Sequence, residues 1–209
     1  HLEMEGDTVK LTPWASGHRS LLRMPPSPPG KYVALLRIEG DIVDGRSERV
    51  PFKLPGPLNL FMNQRAGDIS VVGDIHEIEI DKRAAAVLVY VDSRGGSANA
   101  SEAIASALTK LADSKPVVVA MGSVAGSGGY YVSTPSQWIV AQPGTMTGSI
   151  GVVSGKISNV GLTDRLSIRS ESVTRGRHAA LFNSDSPFTP EELQIISSSN
   201  QRMYQIFLD

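Results

Sequence analysis

The feature that most constrains the fold is a pair of short, continuously apolar runs, residues 85–91 and 116–120. Strands that are apolar at every position are typical of parallel sheets, because helices cover both faces of such sheets. Between the two runs, residues 98–111 have a helical composition, with Ile104, Leu108 and Leu111 on one face. This strand–helix–strand order predicts an α/β fold with a largely parallel sheet.

The same alternation continues on both sides of this unit. We predict strands at residues 32–39, 138–141 and 167–173, and helices at residues 126–134, 157–166 and 190–208, the last with Thr189 as its N-cap. Residues 68–82 fit a helix and a strand, and a helix is favoured because a crossover must precede the next strand. Residues 50–67 contain three prolines and two glycines and are expected to be irregular.

The two ends of the chain differ from the middle. The Pro-rich residues 24–30 predict an extended arm or linker over residues 1–30, with the globular domain at 31–209. The first residues resemble a tag remnant and lack the basic and apolar regions of a signal peptide. The helical pattern at residues 204–209 stops without a capping signal, so we expect the chain to be part of a longer protein. No apolar run reaches the roughly 20 residues of a membrane-spanning helix.

Composition excludes several classes of function. The 20 basic and 21 acidic residues give a net charge of -1, which argues against a nucleic-acid partner. The chain has no cysteine, so a disulfide scaffold, a thiol nucleophile and a cysteine metal site are excluded. Four widely separated histidines argue against a histidine metal site. We therefore expect neither a metal nor a cofactor, and we interpret Asp41 and Asp44 as turn residues.

Two glycine-rich turns, residues 92–97 and 122–130, directly follow the apolar strands. Ligands of open α/β sheets bind at the carboxyl ends of the strands, and glycines there let backbone amides approach a substrate. Such amides suit a developing oxyanion, which makes the glycine-flanked Ser127 a candidate nucleophile. Both segments also fit ordinary tight turns, and neither matches a phosphate-binding loop. Three other serines are expected to be turn or cap residues: Ser93, Ser97 and Ser123.

Three ordered motifs, YVDSRGGS (90–97), AGSGGYY (125–131) and QPGTMTGSIGV (142–152), closely resemble the signal peptide peptidase A family, also called protease IV. These are serine peptidases of the ClpP/crotonase superfamily, and the likeness runs from about residue 32 to the C-terminus. It implies a spiral of βαβ units and hydrolysis of peptides, notably cleaved signal peptides, in a membrane-associated oligomer. It also implies a Ser-Lys dyad with Ser127 as nucleophile, and an oxyanion hole at Gly95, Gly96 and Gly128. Arg94 stands where the family motif normally has proline.

The lysine of the dyad is missing from its expected place. Matched to single-domain members of the family, the lysine position is occupied by Ala179. In the long, internally duplicated members the lysine comes from the first repeat and the serine from the second, and this chain looks like the second. The resemblance therefore implies that a companion repeat or subunit supplies the base, and that the isolated chain has little activity. Two bases within the chain are alternatives: Lys156, which we expect at the start of a surface helix, and His178.

Two other functions remain open. The chain could be a non-catalytic assembly repeat in which Ser127 is inert, or a crotonase-type acyl-CoA enzyme. The second would need a carboxylate near the Gly-Gly turn and an adenine pocket, and neither signature is visible. We expect Tyr130 and Tyr131 to pack within the fold and Trp14 to be a tail residue, whereas Thr147 and Ser149 fit a substrate groove and a turn equally well.

Overall fold

A computed structural model describes residues 2–5, 8–11, 30–48, 64–169 and 171–208. The chain divides into two compact units, His1–Tyr32 and Val33–Asp209. In the first unit, strands β1 (Leu2–Glu5) and β2 (Thr8–Leu11) form an antiparallel pair, which the prediction of an extended arm did not include. Trp14 and residues 24–29 lie outside the described ranges. The assignment of residues 1–30 to an arm and of 31–209 to the domain stays a prediction.

Beyond the hairpin, strands and helices alternate along the chain. In order, the described elements are β3 (Tyr32–Glu39), β4 (Asp41–Val43), β5 (Arg65–Gly67), α1 (Asp68–Ile80), β6 (Ala84–Ser93), α2 (Ala98–Ala112), β7 (Val117–Gly126), α3 (Gly128–Tyr131), β8 (Trp138–Val140), β9 (Met146–Gly148), α4 (Val160–Arg165) and α5 (Pro190–Leu208). No helix within the described ranges has both the length and the apolar composition needed to cross a bilayer.

The main sheet has the order β3-β6-β7-β8, and β9 pairs with β7 beyond the end of β8. The β6–β7, β7–β8 and β7–β9 pairs are all parallel. A second, two-stranded sheet pairs β4 with β5, also in parallel. The predicted α/β class with a largely parallel sheet is therefore confirmed.

The core lies on one face of the main sheet. Alternate residues of β6 and β7, including Val87, Val89 and Val119, are at most 1% exposed. The apolar face predicted for α2 is buried with them, since Ile104 and Leu108 are also at most 1% exposed. The intervening strand residues are only half-buried. The prediction that both faces of these strands are covered is therefore wrong within the part of the chain that the structure describes.

Several predicted elements have the expected type but other bounds. The ambiguous segment before β6 is helix α1, and α5 begins after Thr189, as predicted. Thr189 and Glu192 form a reciprocal cap, in which the Thr189 amide donates to Glu192 Oε2 (2.9 Å) and the Glu192 amide donates to Thr189 Oγ1 (3.2 Å). The helix predicted at residues 157–166 is shortened to α4. The helix predicted at residues 126–134 is shortened to α3, because β7 continues as a strand through Gly126.

The strand predicted at residues 167–173 is wrong. Among its described residues, 167–169 and 171–173 have no regular structure, and the side chain of Val173 is fully exposed. A strand needs a neighbouring strand to receive its backbone hydrogen bonds, and the local composition of this segment does not specify one.

Lys115 fastens the carboxyl end of α1 to the start of β7. Its Nζ donates to the carbonyl oxygens of Ile78 (2.7 Å), Asp81 (2.5 Å) and Ala84 (3.0 Å). A cation at this position satisfies carbonyls that have no partner within the helix and complements the helix dipole. One side chain therefore links α1, the turn after it and β6.

Replacing this lysine should destabilise the domain. We expect Lys115→Met to lower the free energy of unfolding by about 1–3 kcal/mol, because three carbonyls lose a charged donor. Urea denaturation followed by circular dichroism measures the change. The matched control is Lys110→Met, whose 70% exposed side chain pairs with Glu79 at 3.2 Å, and which should change stability by less than about 0.5 kcal/mol. Equal effects of the two variants would contradict the assignment.

Candidate active site

Ser127 is the single residue between β7 and α3, and its backbone is strained. Its φ of +49° and ψ of −120° lie outside the regions that residues with side chains usually adopt. Its amide donates to the Gly148 carbonyl oxygen in β9 (2.8 Å), and its carbonyl oxygen accepts from the Tyr131 amide (2.9 Å). Such strain persists only where the surrounding structure enforces it, and a strained strand-to-helix turn presents the nucleophilic serine in enzymes of the α/β-hydrolase fold.

The two glycine-rich turns predicted from the sequence are in direct main-chain contact. A Cβ atom added to Gly95 would lie 2.6 Å from the Gly128 amide nitrogen and 3.0 Å from Ser127 Cβ. A Cβ atom added to Gly129 would lie 2.5 Å from the Ser93 carbonyl oxygen. No side chain fits at these positions without a shift of the backbone. The glycines therefore serve the close approach of two chain segments, beyond the needs of each turn by itself.

Strand β4 holds the first turn in place. The Ile42 amide donates to the Gly95 carbonyl oxygen (2.9 Å), and the Ser97 amide donates to the Ile42 carbonyl oxygen (2.8 Å). Gly96, with a φ of +153°, sits so close that an added Cβ would lie 2.0 Å from the Ile42 oxygen. Residues 40–45, where Asp41 and Asp44 were interpreted as turn residues, contain β4 and are thus a structural support of the site. The sequence signal for it is weak, because β4 has only three residues.

The three predicted oxyanion donors differ in whether their amides already have a hydrogen-bond acceptor. The Gly95 amide donates to Ser93 Oγ (3.0 Å), so it is already engaged. The amides of Gly96 and Gly128 donate to no acceptor among the described residues. Both glycines line the same cavity as Ser127. Gly96 and Gly128 therefore remain as donors for a ligand, and Gly95 acts through its close main-chain packing.

Two of the three other serines, Ser93 and Ser97, have structural partners, as predicted. Ser93 Oγ donates to the Gly40 carbonyl oxygen (2.6 Å) in addition to accepting from Gly95. Ser97 is the N-cap of α2, where its side chain accepts from the Ala100 amide (3.3 Å). The prediction of a turn or cap role is wrong for Ser123, which is exposed within strand β7 and does not line the cavity.

The cavity beside Ser127 has a volume of about 570 Å³. The Gly96 turn, the Ser127 turn and residues 149–154 form three of its sides. The fourth side comes from α5, through Met203, Ile206 and Phe207. These α5 residues were not singled out from the sequence, because an apolar stripe on a helix equally predicts ordinary packing.

Tyr131 is the one titratable side chain among the described lining residues, which include no carboxylate, lysine, arginine or histidine. Burial, together with a hydrogen bond from its hydroxyl to Glu102, raises the pKa of Tyr131. The ring of Tyr131 also packs against Phe207 with centroids 4.7 Å apart, and Tyr130 lies 6.4 Å from the same ring. The packing expected for both tyrosines is confirmed.

The three residues considered for the position of the base lie outside the described cavity lining. Ala179 and His178 lie in an exposed turn at residues 177–182. Lys156 is not on a surface helix, contrary to the prediction: its side chain is 4% exposed, and its Nζ lies 3.9 Å from Glu192 Oε2. None of the three residues lines the cavity.

Two groups left open by the sequence are now placed. Thr147 Oγ1 donates to the Ala125 carbonyl oxygen (2.8 Å) and so supports the strand pairing, whereas Ser149 lines the cavity. No group of three or more potential metal ligands occurs within the described ranges, so Asp41 and Asp44 belong to no such cluster there.

Comparison with known proteins identifies relatives over most of the chain. Residues 109–209 match peptidase family S49. The chain is 33% identical over 178 residues to the chloroplastic serine protease SPPA of Arabidopsis thaliana, a match that covers 85% of this chain and 25% of that protein. Protease 4 of Salmonella typhi is 33% identical over 190 residues, covering 88% and 27%. Protease 4 of Haemophilus influenzae is 36% identical over 121 residues, covering 57% and 17%. The chain thus spans about a quarter or less of the length of these relatives.

The contact between Gly96 and Ile42 can be tested by adding one methyl group. We expect Gly96→Ala to lower the free energy of unfolding by at least about 2 kcal/mol, because the new Cβ overlaps a main-chain oxygen. Urea denaturation measures the effect. The control is Gly73→Ala in α1, where nothing lies within 4 Å of the added Cβ and where we expect a gain of about 0.5–1 kcal/mol. A Gly96→Ala protein of unchanged stability would disprove the close approach.

The raised pKa of Tyr131 predicts a dependence of stability on alkaline pH. In the unfolded chain this tyrosine ionises near pH 10, while the folded protein keeps it neutral, so the unfolded state binds fewer protons. The free energy of unfolding should therefore fall as the pH rises from about 9 to 11, and should fall less in Tyr131→Phe. Urea titrations across this range test the difference. Identical slopes for the two proteins would rule out the proposed burial of the phenol.

Proposed function

Since the chain belongs to peptidase family S49, we propose that it carries the nucleophile of a serine endopeptidase, and that Ser127 is this nucleophile. The observation that carries the proposal is the strained Ser127 in a cavity where the Gly96 and Gly128 amides have no acceptor among the described residues. A serine hydroxyl next to two such donors is the arrangement that acyl transfer to serine needs.

The proposed reaction is peptide hydrolysis in two steps. Ser127 Oγ loses its proton to a base and forms a bond to the carbonyl carbon of the scissile peptide. The oxygen of that carbonyl becomes negative and accepts hydrogen bonds from the Gly96 and Gly128 amides. The C–N bond then breaks, the amine leaves with a proton, and a water molecule hydrolyses the acyl-enzyme to release the acid and restore Ser127.

We propose that the base is a lysine supplied by a companion repeat or another subunit. The cavity supports this view, because none of the described residues lining it is a lysine or a histidine. Arginine, including Arg177 beside the Ala179 position, stays protonated and cannot accept the proton. A lysine can act as base only when burial lowers its pKa far enough to leave the amine neutral. The isolated chain should accordingly have little activity.

The substrates and setting of the whole protein follow from the family alone. We propose peptides as substrates, with cleaved signal peptides as the class that the family resemblance implies. Assembly into a homo-oligomer, and membrane association through segments outside this chain, belong to the same proposal.

One observation favours a second candidate, a non-catalytic assembly repeat of the same fold. A cavity with no base among its described lining residues is what an inert repeat would also show. The crotonase-type acyl-CoA reaction finds less support, because the carboxylate it needs beside the Gly-Gly turn is absent from the same residues. Of the nearby acids, Asp92 accepts from the Val124 amide (3.0 Å) and Glu102 is bound by Tyr131.

A fluorophosphonate, which reacts with activated serine hydroxyls, tests the proposed function. We expect the chain to be labelled slowly alone, and about 100-fold or more faster when it is co-expressed with a lysine-bearing companion repeat, the usual contribution of a general base. Labelling is quantified by mass spectrometry, which also identifies the modified residue. Ser127→Ala should abolish it.

The matched control is Ser123→Ala, which replaces an exposed serine of β7. This variant should be labelled at Ser127 like the wild type. Fast labelling of the chain alone would refute a base from outside the chain and leave the nucleophile standing. Failure of every combination to label Ser127 would refute the peptidase function and favour the assembly repeat.

A further inference from the structure

Lys156 is a buried cation that the proposed reaction does not use. Its side chain is 4% exposed, and its Nζ has no hydrogen-bond partner among the described residues. The neighbours of the Nζ atom are the Phe188 ring, with the centroid 4.5 Å away, and Glu192 Oε2, 3.9 Å away. Burying an ammonium group in this way is costly unless nearby groups compensate. Here the ring face and the carboxylate do so, and both belong to the start of α5 or the residues just before it.

Helix α5 buries few of its side chains within the part of the chain that the structure describes. Ile196 is the one buried residue among its described side chains. Ser154 Oγ donates to Asn200 Oδ1 (2.6 Å) near the middle of the helix, and Phe207 packs on Tyr131 near its end. The contact of Lys156 with Glu192 acts on the first turn, at the opposite end of the helix from Phe207.

The first turn of α5 contacts Lys156, whereas its last turns line the cavity. Glu192 is about 22 Å along the helix axis from Phe207, at 1.5 Å per residue. Phe207 and Met203 form one wall of the Ser127 cavity, and Ser154, two residues before Lys156, lies on another wall. Because a helix is stiff over this length, a change of tilt at its first turn displaces the wall at its last turn.

We propose that Lys156 is a positioning residue that anchors the first turn of α5 and thereby keeps Met203 and Phe207 over the cavity of Ser127. The inference deepens the proposed function, on which it rests for its consequence in catalysis: the same anchor sets the width of the groove that receives the peptide. Loss of the Lys156 charge leaves the largely buried Glu192 carboxylate with a hydrogen bond from the Thr189 amide (2.9 Å) but no opposite charge, and we expect α5 to move so that the carboxylate gains water.

The absence of cysteine from the chain allows a direct test. Ser127→Cys places a unique thiol in the cavity, whose reaction can be timed with a small reagent, iodoacetamide, and with a bulky one, fluorescein maleimide. The rate with the bulky reagent divided by the rate with the small reagent reports the width of the cavity. Changes in thiol reactivity affect both rates and cancel in this ratio. We expect Lys156→Met in this background to raise the ratio about fivefold or more, as a shift from the closed to the open arrangement would.

Three further variants in the same background separate anchoring from general destabilisation. Lys156→Met with Glu192→Gln removes both charges and keeps the cap on Thr189, so the ratio should return to the starting value. Phe207→Ala, which removes the wall itself, should raise the ratio as Lys156→Met does. Lys110→Met, at an exposed ion pair with Glu79, should leave it unchanged. Should Lys156→Met fail to fold, Asn200→Ala, which removes the hydrogen bond from Ser154, tests the next tie along the helix.

An unchanged ratio in Lys156→Met alongside a raised ratio in Phe207→Ala would overturn the proposal. So would an equal rise for both reagents together with a lower melting temperature, because that pattern reports loss of the fold. Alkylation of the thiol introduced by Ser127→Cys needs no catalysis, so these outcomes do not depend on the fluorophosphonate experiment. An inert Ser127 in that experiment would remove the catalytic consequence and leave the anchoring result intact.

Discussion

The candidate site depends on the direct contact of three main-chain segments: strand β4, the turn after β6 and the turn after β7. At Gly95, Gly96 and Gly129 an added Cβ would lie 2.0 to 2.6 Å from a backbone atom of a neighbouring segment. Absence of side chains lets the Gly96 and Gly128 amides reach the same cavity. The same crowding holds Ser127 in a conformation that it would not adopt in an isolated turn. Packing of backbone on backbone is therefore what concentrates hydrogen-bond donors around one hydroxyl.

Local patterns predict much of this architecture because their causes are local. Helix α2 follows from its apolar spacing and α5 from its helical pattern and Thr189 cap, whereas at α1 a helix is favoured over a strand because a crossover must precede β6. The apolar strands and the glycines after them place Ser127 at the carboxyl edge of a parallel sheet. The sequence does not predict which strands pair when they are far apart along the chain. Strand β4 has three residues, and Ile42 finds Ala66 only through the tertiary fold.

Strand β7 is a second case in which long-range pairing, not local sequence, decides the structure. Its glycines at 122 and 126 were interpreted as a turn, yet the strand continues to Gly126. Its register with β6 shifts between Val91 and Ser93, and Asp92 Oδ1 accepts from the Val124 amide (3.0 Å) within the irregular stretch. This irregular stretch, bonded to the Asp92 carboxylate, leads the chain to Ser127. The α5 wall of the cavity was missed for a related reason, since periodicity predicts an apolar face and does not say what that face covers.

The absence of charged side chains from the described cavity lining bears on how a lysine from outside this chain could act as the base. Residues 116–155 contain no aspartate, glutamate, lysine, arginine or histidine, and the described cavity lining is equally free of these side chains. Amides that face a cavity without charged side chains act more strongly on a developing negative charge, because no counter-charge among the lining residues competes. A lysine introduced from outside would lose its water there and meet no carboxylate among the described lining residues, because Glu102 is already bound by Tyr131. Desolvation unopposed by an opposite charge lowers the pKa of an amine, and a neutral amine is the form that can accept the proton of a serine. The same lack of charge that leaves the described cavity lining without a base would therefore favour the neutral, basic form of an incoming lysine.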